Sequence, residues 1–422
     1  MAKLKKENGT ARAKVFRFNL AGLIVLCLCL VAGTAFITWK LVGIREKSAA
    51  VPRQSLPASD EQAGSISARQ GPWGELFTQT ISLERPAEYF TNELKTVQPP
   101  VWTFHGMNIT QVKALLIANG LTQPEAEKAL APGRVSTRET NTLFKPSEEF
   151  VFSLNPDTRD RLYEALRGLD VNLYLNSPYY YTKGQIERVN GDARVHPDDL
   201  ALFKKLVYGG KDVRRFSDYE TLMGSIPTLE RRVGLAVSLS RQSTVLARLC
   251  IRPDADLDKV VSYWGNVSNV RFINVRPMIE ALKGLPRGGT LSLMYLLPPF
   301  ARDRLYTFPS PPAPGQPITD CHWSTFNFSN VTPDNRFLDL AECLRHIDHD
   351  FYQIARPGLC GDVLLFKNTK GEIRHSAVYL ADDLVFSKMG KNYTMPWTIM
   401  RINDLQALYS NCNIVYLRNK SD

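Results

Sequence analysis

The stretch Gly361-Asp-Val-Leu-Leu-Phe-Lys-Asn-Thr-Lys-Gly-Glu-Ile-Arg-His-Ser-Ala-Val-Tyr-Leu380 decides how this 422-residue chain is read. Four apolar residues after Gly361-Asp362 open a strand, and Asn368 to Gly371 supply a turn. Glu372 to Leu380 then reads as a second strand, whose alternation sets Ile373, His375, Ala377 and Tyr379 on one face. His375 thus shares a face with small and aromatic residues, where an imidazole can line a cleft. Taken alone, it reads equally well as a satisfied, half-buried histidine.

Upstream, Asp320-Cys321-His322-Trp323, followed by Phe326 and Phe328, reads as a helix start with Asp320 at its cap. A cysteine in the first turn feels the positive end of the helix dipole, which favours the nucleophilic thiolate. Backbone N–H groups in that turn can also stabilise an oxyanion. The bland reading of Cys321 by itself is a buried structural thiol.

In combination, the order of cysteine helix, Gly-Asp strand and His-small-apolar-Tyr strand resembles the NlpC/P60 superfamily of papain-like cysteine peptidases and amidases. The resemblance covers about a quarter of the chain, from Ile318 to Asn419. It implies a papain-like domain, a Cys-bearing helix packed on an antiparallel sheet, with Cys321 as nucleophile and His375 as base. It also implies a peptide or amide substrate, in many members a cell-wall peptide, and no cofactor. The family's third, imidazole-orienting residue lies on the strand after the histidine strand, and the matching position is Ser387. A three-residue turn at Ala381-Asp382-Asp383 would set Ser387 beside His375, and a two-residue turn would point it away.

Two departures from the family pattern stand out. The Ser-Gly common after the cysteine is His322-Trp323 here, two rings expected to reshape the cleft. The tyrosine common just before the cysteine has no near counterpart, Tyr306 being too far upstream. These departures support a rival reading, a binding or scaffold protein that keeps the fold without the activity. Acyl transfer from lipids is a third. A permuted arrangement using Cys412 leaves too few residues for a nucleophile helix. His346-Ile-Asp348-His349-Asp350 offers two imidazoles three apart, but no third ligand cluster accompanies it, so no metal site is expected.

Residues 20–39 form an uncharged apolar run of the length a bilayer-crossing helix needs. Six cations against one acid in residues 1–19 predict a cytoplasmic N-terminus, with the bulk of the chain periplasmic or extracellular. A cleaved signal peptide competes, but Gly33-Thr34-Ala35 matches a cleavage site poorly. About half of the net charge of +10 sits in that tail, and the remainder forms no basic stripe, so nucleic-acid binding is excluded as a function class. Seven cysteines in a chain this long are no disulfide scaffold, although one or two bridges among Cys250, Cys321, Cys343, Cys360 and Cys412 are open.

The expected organisation is therefore α+β. Residues 1–19 are the basic tail, 20–39 a transmembrane helix and 40–70 a flexible linker. Residues 71–308 form a mixed α/β middle region of unknown fold, with helices predicted after Thr122, which opens a capping box with Glu125, and over 156–166, 253–263 and 275–282. The proline-rich connector, 309–317, is the domain boundary, and 318–422 is the papain-like domain. The sequence does not give the oligomeric state.

Overall fold

Fifteen strands, numbered in chain order, organise the described residues. They are β1 Ser67–Gly71, β2 Gly74–Leu83, β3 Trp102–Phe104, β4 Val135–Arg138, β5 Asn141–Phe144, β6 Tyr179–Thr182, β7 Val213–Phe216, β8 Gln242–Ile251 and β9 Gly289–Ser292. The C-terminal set is β10 Phe351–Ile354, β11 Val363–Asn368, β12 Ile373–Ala381, β13 Leu384–Lys388, β14 Trp397–Arg401 and β15 Cys412–Asn419. The computed structural model describes residues 67–421, apart from 168–171, 173–174, 176–177, 212, 266–274 and 311–315.

The last six strands form one antiparallel sheet in the order β10-β15-β11-β12-β13-β14. Its nucleus is the quoted stretch. Gly361 takes φ 106°, a left-handed conformation that a side chain would strain, and its N–H donates to Tyr379 O at 2.9 Å. Asp362 then does structural work. Its buried carboxylate accepts from the Gly358 and Leu359 N–H groups and holds Arg418 of β15 with two contacts, at 2.7 and 2.8 Å. The Gly-Asp pair therefore pins the start of β11 to both neighbouring strands.

The cysteine helix, Cys321–Phe326, packs on β12 and β13. As expected, Asp320 caps it by accepting from Trp323 N at 2.8 Å. The Thr122–Glu125 capping box forms as read, and helices occupy Pro156–Arg167, Leu257–Gly265 and Val275–Lys283.

The upstream half does not stand apart from this sheet. The described residues, from 67 to 421, belong to one compact unit, and each of its two apolar cores draws on both sides of the proline-rich connector. One core joins Phe90, Tyr179 and Phe203 to Phe366 and Tyr409. The other joins Leu249, Trp264 and Phe300 to Trp323, Leu365 and Phe386. The free edge of β14 is closed from upstream. The Thr244 hydroxyl of β8 donates to Ile399 O at 2.9 Å and accepts from Ile399 N–H at 3.0 Å. Tyr306 N–H donates to Trp397 O and Trp397 N–H to Thr307 O, at 2.8 and 3.0 Å. An exposed strand edge invites foreign pairing, and here three upstream residues remove it.

Two expectations need correction. The connector 309–317 does not divide independent cores, because the apolar faces on either side of it bury against one another. The fold as read also included a membrane-spanning helix. Among the described residues no helix is long and apolar enough to cross a membrane, and 20–39 lies outside the described residues, so the structure stands as α+β without that element. All five cysteines among the described residues are free thiols.

Candidate active site

Cys321 opens its helix and is buried, 4% exposed, yet its side chain borders a cleft of about 180 Å³. Two imidazoles converge on the sulfur. One is His375, as the sequence predicts. The other is His322, its chain neighbour. Burial alone would push the thiol up; the charges and hydrogen bonds of His322 and then His375 overcome it and hold Cys321 at about 5. The helix is only six residues long, so these two rings, not the helix end, account for the ionisation.

The surroundings fix each ring. His375 Nε2 lies 2.9 Å from Ser387 Oγ. Its other nitrogen, Nδ1, is buried without a well-aligned hydrogen-bond partner and is the one left to exchange a proton with the sulfur. Tyr409 stacks on the ring at 4.6 Å and 16°, and Phe366 meets it edge-on at 5.6 Å. His322 is held by a second relay. The Ser376 hydroxyl donates to Thr325 Oγ1 at 3.0 Å, so its lone pair accepts from His322 Nδ1 at 2.9 Å. That assigns the Nδ1 proton of His322 and leaves Nε2 for the thiol. Burial pulls His322 down, but the Cys321 charge and hydrogen bond outweigh it and raise the ring to about 9. Both shifts run in the direction that favours a thiolate beside an imidazolium.

Ser387 reaches His375 by a route the turn argument did not contain. The turn has two residues, Asp382 and Asp383, with Asp382 at φ 57°. By itself that turn would point Ser387 away. A bulge between Tyr379 and Ala381 restores the missing residue, so that Val378 pairs with Phe386 and Ser387 falls beside His375.

Lys388 follows Ser387 and is fully buried. Its ammonium donates to Gly390 O at 2.8 Å and Asn392 O at 3.1 Å, which fastens the loop that walls the cleft. Burial lowers it to about 8, against the upward pull of Asp320 and Cys321. The cleft itself is lined by Arg167, Arg374 and Lys391, with Asp320 as the one acid, and by Tyr180 and Tyr409. Glu164 pairs with Arg167 at 3.6 Å, and Glu372 pairs with Arg374 at 2.8 Å.

The structure thus brings Cys321, His375 and Ser387 together. Sequence reasoning missed His322 as a partner of the sulfur, having taken it for a steric obstacle. Trp323 turns away instead, against Phe300 at 5.1 Å. Tyr306 is also elsewhere, donating to Val245 O. The cleft tyrosines come from Pro178-Tyr179-Tyr180-Tyr181 and from Tyr409, and an aromatic run of that kind was the available signal. His346 and His349 both bond Asp350, at 2.6 and 2.7 Å, and His346 packs among Phe326, Phe337 and Phe351. No group of His, Cys, Asp and Glu among the described residues has the arrangement of a metal site. Comparison with protein-family models, with curated proteins and with solved structures returned no match for this chain.

Proposed function

We propose that this protein is a thiol hydrolase acting on amide bonds. The carrying observation is the convergence of the His322 and His375 rings on the buried Cys321 thiol at the wall of a cleft, an arrangement that lowers the thiol. A structural cysteine is normally raised by burial, as Cys343 is, to about 12.

In the proposed reaction the Cys321 thiolate attacks the carbonyl carbon and forms the S–C bond. The C–N bond breaks as an imidazolium gives its proton to the departing amine. Water then attacks the thioester and passes its proton to the ring that gave one to the amine, which restores the imidazolium. The C–S bond breaks, which releases the carboxylic acid and returns the thiolate. Ser387 and Tyr409 hold the His375 ring in line, and His322 keeps the sulfur ionised between turnovers. The Cys321 N–H lies in the first helical turn, where no intrahelical acceptor exists, and serves the oxyanion. Arg167 and Arg374 of the cleft hold Glu164 and Glu372 and can take a carboxylate near the scissile bond as a further partner, as peptides, cell-wall peptides among them, provide.

The test is alkylation by iodoacetamide at pH 6, mapped residue by residue. Selective modification of Cys321 that falls in His322→Ala and His375→Ala supports the hydrolase. Equal modification of all cysteines, or none at Cys321, supports a binding protein that keeps the architecture without the chemistry.

A further inference from the structure

A second cavity, of about 260 Å³, adjoins the cysteine cleft and plays no part in the reaction described above. Strands β8 and β14, the loop after β13 and the helix Ile402–Leu408 bound it. One wall is apolar and pliant, made by Met395, Pro396, Ile399, Met400 and Leu408. Methionine adapts its shape to whatever it packs against, so such a wall suits a ligand more than a fixed core. The polar part of the lining includes Thr182, Gln185, Gln242 and Asp404. Gln242 is 91% buried, and its Nε2 has no hydrogen-bond partner, while its oxygen accepts from Gln185 at 3.4 Å. That vacant donor has almost no accessible surface, so a ligand oxygen reaches it only through a shift of the Gln242 side chain.

The cavity and the cysteine cleft share two side chains, Tyr180 and Met389. The cavity therefore adjoins the cleft at these two side chains. By volume it has room for about ten carbon atoms, scaled from the roughly 150 Å³ cavity that admits benzene.

We propose that this cavity is the acyl-side subsite of the enzyme, and that the substrate is an amide joining an apolar acyl group to an amine that carries a carboxylate. The apolar arm lies along the methionine wall, with any oxygen it bears facing Gln242. The carboxylate of the departing amine lies toward Arg167 and Arg374, where it adds to their contacts with Glu164 and Glu372. This proposal rests on the hydrolase reading, which supplies the direction of the acyl group.

Binding to the Cys321→Ala protein separates the two ideas, because it needs no turnover. The probes are N-acetyl-alanine, N-octanoyl-alanine and N-acetyl-leucyl-alanine, compared by calorimetry. Each fully buried methylene is worth about fourfold in affinity, so three of the six extra methylenes in the cavity already make the octanoyl compound bind more than about 30-fold more tightly than the acetyl one. Ala407→Trp and Thr80→Trp, both placed at the exposed rim and each checked for folding by thermal unfolding, should remove that gain. If the octanoyl compound gains and acetyl-leucyl-alanine does not, the arm is a fatty acyl chain; if the leucyl compound gains as much or more, it is a peptide. Equal binding of all three probes, or a gain that survives both rim variants, overturns the subsite. If binding behaves as expected but the wild type hydrolyses none of the probes, the hydrolase reading fails and the cavity stands.

Discussion

Removing His322 should raise the ionisation midpoint of Cys321 more than removing His375 does. The thiol lies four units below its ordinary value of 9.0. Four units correspond to roughly 5 kcal/mol of preference for the thiolate, supplied by two rings against an opposing burial cost. His322 contributes the larger part, so His322→Ala should raise the midpoint well above 5, and His375→Ala by a smaller step. With both rings gone only burial remains, and the thiol should titrate above 9. The assay is thiolate absorbance near 240 nm against pH, referenced to Cys321→Ala, with alkylation at Cys321 followed in parallel. The midpoint is decisive and the rate at one pH is not. Each unit of lowered pKa also weakens the thiolate as a nucleophile, by about 10 to the power 0.4–0.5, which partly cancels the gain in ionised fraction. A wild-type midpoint near 9, or one unmoved by either substitution, would refute the account of the site.

Activity on an amide substrate should follow a bell in pH. It should fall below about 5 as the thiol takes a proton, and above about 9 as His322 loses its own, with kcat/KM measured from pH 4 to 10. Ser387→Ala removes the partner of His375 Nε2 and should lower kcat roughly five- to tenfold with little change in KM, since a hydrogen bond of this kind is worth about 1 kcal/mol. Asp362→Asn breaks a buried, doubly bonded ion pair with Arg418 and should cost roughly 3 kcal/mol in urea unfolding while the thiol midpoint stays in place. Thr244→Val strips both partners from the Ile399 peptide groups and should cost about 1–3 kcal/mol by the same measurement.

The chemistry was legible where it is local. Asp320 announces a helix start because a carboxylate there satisfies an orphan N–H, and the two strands around His375 follow from alternation and a turn. Ser387 was legible as a position but not as a geometry. A bulge adds a residue without a sequence mark, and it reversed the conclusion that a two-residue turn alone would give. His322 was hidden for another reason. A residue next to a nucleophile was judged by bulk, whereas its role depends on Ser376 and Thr325, which only the packing of helix on strand brings to it. The cleft walls left only the tyrosine run as a trace, since Arg167 and Tyr180 meet Cys321 across more than 140 residues of chain.

The shared cores carry a consequence for how this molecule can be altered. The reacting groups come from one stretch of polypeptide, while Arg167, Tyr180 and Gln242 come from another that is welded to it. Cutting the chain at the prolines would strand two greasy surfaces in water instead of liberating a minimal catalyst. Selectivity, by contrast, can drift through changes in the upstream half while the sulfur and its two rings stay as they are. Tolerance to excision and freedom to retune are thus opposed here, and one buried seam between the halves is responsible for both.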